Sequence, residues 1–327
     1  MKVENDQLER VSPRQHASSE AFLLQLIDYA GLFPPARLPL DAAIRKYAAY
    51  QADKDAWMLG RFILPASRLD ELDPYVSFFS TEVPLRIAVV GSRHDHASGC
   101  MEGLQKDLAS ITRFRERHGS LIEIDVFELP LPSVQNGRDL LHRIALETSR
   151  HNVYTFCEGT APLTTEWTHH TTALLEAIAL HNETGDTELG FKMRMGGVTA
   201  AAFPTCEQVA AVLVGCRDRG IAMKYTAGLH HPIRMHRTEV QTRMHGFMNV
   251  FTAGMLAYAY DLDEQMIVRI LADEAPENFS FTAEGLAWRD LTISTPDIVR
   301  LRRTAFRSYG SCSFDEPRED VRVLHIL

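Results

Sequence analysis

Two lysines stand in runs that are otherwise apolar, Lys192 in LGFKMRM and Lys224 in IAMKYT, one strand–helix–strand repeat apart. Ammonium groups projecting from neighbouring parallel strands would lower the pKa of at least one of them. A lysine held neutral in this way is a nucleophile towards a carbonyl group. Arg194 lies two positions after Lys192 and therefore on the same face of its strand, where a guanidinium could grip a carboxylate or phosphate in a bidentate way. Asp125 and Glu158, on or at the ends of two earlier strands, are the carboxylates best placed to move protons. The plainer account of each lysine is that it ends a strand and carries its charge out to solvent along an apolar stem.

The element that must position these groups spans residues 189–232. Thr205 and Gln208 form a capping-box pair at a helix start, Val209, Val212, Leu213 and Cys216 recur on one helical face, and Gly220 follows the end. This is a parallel crossover unit. Strands centred near residues 30, 62, 88, 125, 155, 192, 224 and 307, nearly all separated by helical stretches, predict an α/β fold of the (β/α)8 TIM-barrel type. On that reading residues 1–18 are a polar arm, and 19–327 are one barrel domain with a helical and hairpin insertion at about 233–300. Within the insertion, Thr238 and Gln241 are expected to open a long apolar helix reaching Tyr258, with Met244, Phe247, Met248, Phe251 and Met255 on one face. On the fourth strand, Ile122, Ile124 and Val126 are expected to face one way and Glu123, Asp125 and Phe127 the other. An open doubly wound sheet is the competing fold, and the absence of a GxGxxG or Walker loop after any strand disfavours nucleotide binding by those two routes.

The formal net charge of −9 gives no reason to expect nucleic acid or an anionic membrane as partner. Five cysteines without a CxxC argue against a disulfide framework or a thiolate zinc site, and the polar N-terminus is unlike a signal peptide. The expectation is a cytoplasmic protein with no cofactor and no resident metal. His230, His231, His236 and His245 invite a zinc reading but lack HExxH spacing, and adjacent histidines on an extended strand point apart. His245 and Asn249, one helical turn apart, read instead as a satisfied buried pair.

Residues 121–231 resemble deoxyribose-phosphate aldolase, a cofactor-free class I aldolase barrel. Four short segments carry the likeness: Glu123-Ile124-Asp125-Val126, Cys157-Glu158-Gly159, Lys192-Met193-Arg194-Met195-Gly196 and Lys224-Tyr225-Thr226-Ala227-Gly228. The resemblance implies Lys192 as the Schiff-base lysine, Lys224 as the lysine that lowers its pKa, and Asp125 as the proton-shuttling carboxylate. It also implies a phosphate-binding turn at GSCSF, through Gly310, Ser311 and Ser313. Gly196 and Gly228, with His230 and His231, complete the expected substrate-binding set. Arg194 departs from the pattern, which has a small hydroxyl residue there, and the paired histidines have no counterpart in it. The segments K-x-R-x-G-G and K-x-T-A-G-L-H-H-P also resemble an uncharacterised bacterial family, a likeness that implies no reaction.

These residues leave three functions open. The first is an aldolase-type lyase acting on a small anionic carbonyl metabolite. The second is a metal-assisted or acid/base enzyme, an isomerase or hydrolase, in which Glu158, His230 and Lys192 act beside a carboxylate held by Arg194. The third is a non-catalytic barrel that binds a metabolite, or a homo-oligomer joined through the Met-rich helix.

Overall fold

The computed structural model describes residues 17–132 and 137–326. The strand–helix repeat around the two lysines runs through the whole chain. Its strands are β1 (Ile27–Tyr29), β2 (Leu59–Pro65), β3 (Leu85–Val90), β4 (Ile122–Leu131), β5 (Tyr154–Gly159), β6 (Leu189–Arg194), β7 (Met223–Thr226) and β8 (Phe306–Ser311). Each pairs in parallel with its neighbours, and β8 closes on β1 with Ile27 opposite Tyr309. The result is a closed eight-stranded (β/α)8 barrel. The six helices before β7 are α1 (Ala17–Leu23), α2 (Leu40–Gln51), α3 (Ala97–His118), α4 (Arg138–Arg150), α5 (Trp167–Thr184) and α6 (Cys206–Asp218). A run of 3-10 turns over Ala66–Phe78 stands in for a helix between β2 and β3.

Strand alternation produces two separate apolar cores. On β6, Phe191 and Met193 face outward into the layer beneath the helices, while Lys192 between them faces inward. Inside the barrel Ala30, Ile63, Ala88, Val126, Phe156 and Ala222 form their own cluster. Three of these six are alanines, which leaves room for the charged side chains that share the interior.

The capping box on α6 is present in full. The Gln208 amide donates to Thr205 Oγ1 at 3.2 Å, and the Thr205 amide donates to Gln208 Oε1 at 2.9 Å. Residues 1–16, most of the expected arm, lie outside the described residues. The other two belong to α1: Ser18 is fully buried, and its hydroxyl donates to the Thr282 carbonyl at 2.7 Å.

Between β7 and β8 the chain inserts an antiparallel pair, Met235–Arg237 with Thr242–Met244, then α7 (Phe247–Tyr260) and α8 (Glu264–Ala272). A three-stranded antiparallel sheet of Phe279–Phe281, Gly285–Trp288 and Leu291–Ser294 and then α9 (Thr295–Thr304) follow, and α10 (Asp315–Val323) comes after β8. The apolar helix therefore starts at Phe247, and Thr238 with Gln241 forms the hairpin turn instead of a helix cap. Gln241 sits at φ +55, and its side-chain amide donates to the Thr238 carbonyl at 2.5 Å. Both are exposed, and the continuous buried run that could hold a helix against the barrel begins only at Met244.

Helix α7 is buried from Phe247 to Ala257 within its own chain. Phe247 stacks on Tyr309 at 5.1 Å between ring centroids, and Phe251 meets Phe22, Tyr225, Phe306 and Tyr309. The Met-rich face proposed from the sequence as an oligomer interface is thus spent on the barrel. No described helix is long and apolar enough to cross a membrane.

Candidate active site

Lys192 and Lys224 stand opposite each other on β6 and β7, and both point into the barrel. Inward positions of four other strands bring Asp28, Glu128, Glu158 and Ser308 to them. Lys192 Nζ lies 2.6 Å from Glu128 Oε2 and 2.8 Å from Glu158 Oε2. Lys224 Nζ contacts Asp28 Oδ2, donates to Ser308 Oγ at 2.9 Å and lies 3.4 Å from Glu128 Oε1. The Ser308 hydroxyl donates in turn to Asp28 Oδ2 at 2.7 Å, and the Arg61 amide donates to Asp28 Oδ1 at 2.5 Å. Gly60 makes space for this carboxylate, since a Cβ there would collide with Asp28 Oδ1.

Three carboxylates therefore meet two ammonium groups at positions at most 6% exposed. Glu128 bridges both lysines, yet neither of its oxygens has a directed hydrogen bond, so it is held by charge and retains acceptor capacity. Burial alone would pull the Lys192 ammonium down, but Glu128 and Glu158 outweigh it and raise its pKa above the ordinary lysine value. Burial likewise pushes Glu158 up, and Lys192, then Arg194, reverse this to leave it below the usual range. Asp28 follows the same pattern, with burial opposed first by Lys224 and then by Arg61. The sequence expectation that Lys224 holds Lys192 neutral therefore fails. Lys192 has Glu128 and Glu158 beside it, and their charges outweigh burial there.

Arg194 lies one inward position beyond Lys192 towards the C-terminal mouth, half exposed, with Nη1 3.5 Å from Glu158 Oε1. Gly228 packs against the strand end beside it. Its φ is +71, and a Cβ there would come within 2.7 Å of Gly196 Cα, so the two glycines bring these loops into close backbone contact. His231 Nδ1 pairs with Asp320 Oδ2 at 2.6 Å on α10. His230, pushed down to about 4 by burial, sits 3.7 Å from Cys312 Sγ and 3.8 Å from Glu316 Oε2. These partners dock both histidines against the segment after β8.

Gly310 faces the barrel interior, where a Cβ would meet Ile63 Cδ1 at 2.8 Å. Ser311 is buried, with its hydroxyl accepting from the Ser313 amide at 3.4 Å, and Ser313 Oγ accepts from the Glu316 amide at 3.2 Å. The first turn of α10 carries Asp315 and Glu316, an acidic setting for the phosphate turn that the resemblance implies. His245 and Asn249 are both satisfied, though by other groups. His245 Nε2 lies 2.8 Å from the Pro204 carbonyl, and Asn249 donates to the Ile270 and Asp273 carbonyls. No group of three or more His, Cys, Asp or Glu among the described residues could hold a metal ion.

Asp125 is not brought to the lysines. It lies three residues before Glu128 on β4, about 10 Å back along the strand, and is ion-paired in a bidentate way to Arg61 near the opposite end of the barrel. The cause is a bulge. Ile87 pairs with Ile124 but Ala88 pairs with Val126, so Asp125 is an extra residue and the alternation reverses there. Ile122, Ile124, Phe127 and Leu129 face the helices, while Val126 faces inward and Glu128 follows it. Glu128, Asp28 and Ser308 are the site residues that sequence reasoning missed. Asp28 carried a usable signal, a single acid in the apolar run Leu26–Ala30.

Compared with protein-family models and with curated proteins, the chain matches none.

Proposed function

We propose that this chain is an enzyme acting on a small carbonyl metabolite at the C-terminal mouth of the barrel, with Lys192 forming an imine. The observation that carries this reading is the Lys192 ammonium held between two buried carboxylates, 2.6 and 2.8 Å away, directly below a half-exposed arginine. A buried ion cluster of this size is a poor source of stability, since desolvation offsets most of its Coulomb attraction, and it is better explained by chemistry. The ammonium passes a proton to Glu128, and the freed amine attacks the carbonyl carbon to form a C–N bond. Glu128 returns that proton to the oxygen and Glu158 relays the second one from the nitrogen, so that the oxygen leaves as water. The resulting iminium accepts the electron pair of the adjacent C–C bond as a carboxylate takes the proton of the substrate's β-hydroxyl, so that a second carbonyl departs and an enamine remains, as in an aldolase cleavage. Arg194 grips a carboxylate or phosphate on the substrate. The resemblance to deoxyribose-phosphate aldolase supports the same assignment, with Glu128 taking the proton-moving role in place of Asp125.

A second reading, acid/base catalysis without an imine, is favoured by the raised pKa of Lys192, which suits an ammonium acid paired with a Glu128 base. One experiment separates the two. The full chain is incubated with a panel of small aldehydes and 2-keto acids plus borohydride, then analysed by intact mass and peptide mapping. The imine reading requires an adduct on Lys192, in a yield that rises with pH as the ammonium is deprotonated. Absence of an adduct on either lysine across the panel rejects it. Hydrogen exchange of the same compounds in heavy water, lost in Glu128→Gln, would then support the second reading.

A further inference from the structure

The barrel has a second opening, at the end away from Arg194. A cavity of about 570 Å3 lies there, lined by Arg61, Arg302, Arg303 and Arg307 together with Asp125 and Ser308. Of these cations Arg61 is matched, by its bidentate pair with Asp125. Arg302 spends its terminal nitrogens on the carbonyls of Phe306, Arg307 and Leu24, and its Nε is buried with no hydrogen-bond partner. Arg307 also has a buried, unpartnered Nε, and its guanidinium lies 5.4 Å from the Tyr154 ring centroid. None of Arg302, Arg303 and Arg307 has an ion-pair partner among the described residues. Asp28, the carboxylate whose field reaches Arg302, is already committed to Lys224, Ser308 and the Arg61 amide.

We propose that this cavity binds a small oxyanion, a carboxylate or phosphate on a compact organic body, through Arg307 and Arg303. Guanidinium groups match either anion in a bidentate way, and beside this cavity Arg302 and Arg307 each keep a buried Nε without a hydrogen-bond partner. Phe156 and Val126 provide an apolar wall for the body of the ligand. Burial, opposed by Asp28 and reinforced by Arg307, pushes Arg302 down to about 9. The site also touches the catalytic cluster. Ser308 lines the cavity and is hydrogen-bonded to both Lys224 and Asp28, so a bound anion sits one side chain from the charged centre. The proposal does not depend on imine chemistry at Lys192.

The test uses the full chain with inorganic phosphate, pyrophosphate and citrate as probes, followed by thermal shift and calorimetry against sodium chloride of equal ionic strength. At least one probe should raise Tm beyond the chloride control by mass action. Replacing both arginines (Arg303→Gln with Arg307→Gln) should weaken its Kd by about tenfold or more, the loss expected for charge-assisted contacts. Arg194→Ser should retain the binding that the double variant loses, since Arg194 stands at the other end of the barrel. Absence of binding by all three probes at millimolar concentration overturns the proposal. So does equal binding by the double variant, or loss of binding in Arg194→Ser instead. If the double variant does not fold, Arg303→Gln alone decides. Arg303 is exposed, so this variant should fold, and unchanged affinity in it counts against the site.

Discussion

Replacing Lys192 with methionine removes the cation from between Glu128 and Glu158 while keeping most of the side-chain volume. At N–O distances of 2.6 and 2.8 Å and an effective dielectric of about 20, each contact is worth about 6 kcal/mol of gross attraction. The variant is spared the cost of burying an ammonium, several kcal/mol, and the usual net loss on breaking a buried pair is about 3–5 kcal/mol. We expect a loss in that range near pH 8. The pH dependence distinguishes this cause from loss of packing. In the parent, Lys192, with Arg194 second, reverses the effect of burial and holds Glu158 below its ordinary value. In the variant burial dominates, the Glu158 pKa rises above its unfolded value, and folding takes up a proton. Stability of Lys192→Met should therefore increase as pH falls from about 8 to about 5.5, a window in which the parent's own carboxylates give it no such gain. Urea unfolding at both pH values reads this directly. A loss below about 1 kcal/mol, or a pH slope equal to the parent's, would show that water reaches the cluster and that the buried-network reasoning is wrong.

Arg194→Ser should leave stability within about 0.5 kcal/mol of the parent, because the side chain is half exposed and its contact with Glu158 is long. Affinity for an anionic substrate analogue, measured by calorimetry, should fall by about tenfold or more. Glu128→Gln should abolish borohydride trapping on Lys192, whereas Asp125→Asn should leave the trapping yield unchanged, with peptide mapping as the readout. In acid, the stability contributed by Asp28 and Glu158 is complete above their ordinary values of 3.8 and 4.5 and disappears as pH falls through their depressed folded values, visible in an acid titration followed by circular dichroism. Gly228→Ala should cost about 1–3 kcal/mol in urea unfolding, since a left-handed φ and a backbone contact both oppose the added methyl.

The barrel was legible because most of its strands are short, largely apolar runs with helices on the outside, a pattern that needs no long-range information. The βα repeat around α6 could be read to the cap. The insertion was harder. Thr238-x-x-Gln241 satisfies the helix-start pattern and a hairpin turn equally well, and only the burial available from Phe247 onward decides where the helix begins. The Met-rich face was correctly read as buried, but sequence alone does not say whether the burying surface is another chain or the same one. Here it is the same chain, and Phe247 and Phe251 against Tyr309 show why: β8, about sixty residues later, supplies the aromatic surface that covers them.

Within the site, the lysines and Glu158 could be found because a charged residue in an apolar strand must face something polar inside the barrel. The same rule applied to β4 selects Asp125, and it fails there for a local reason. A bulge adds one residue to β4 opposite Ile87 and Ala88, and from that point inward and outward positions exchange. Asp125 is left half exposed beside Arg61, and Glu128 inherits the inward direction at the level of Lys192. Glu128 was hidden because strict alternation along Leu121–Leu129 puts it on the side of Ile122, Ile124 and Val126, away from Asp125. The two carboxylates then divide the barrel between them. Glu128 bridges the lysines in the buried cluster, and Asp125 neutralises one of the four arginines around the cavity at the other end. Ser308 and the Arg61 backbone join the two regions through Asp28, so the charge balance of one end is set partly by the other.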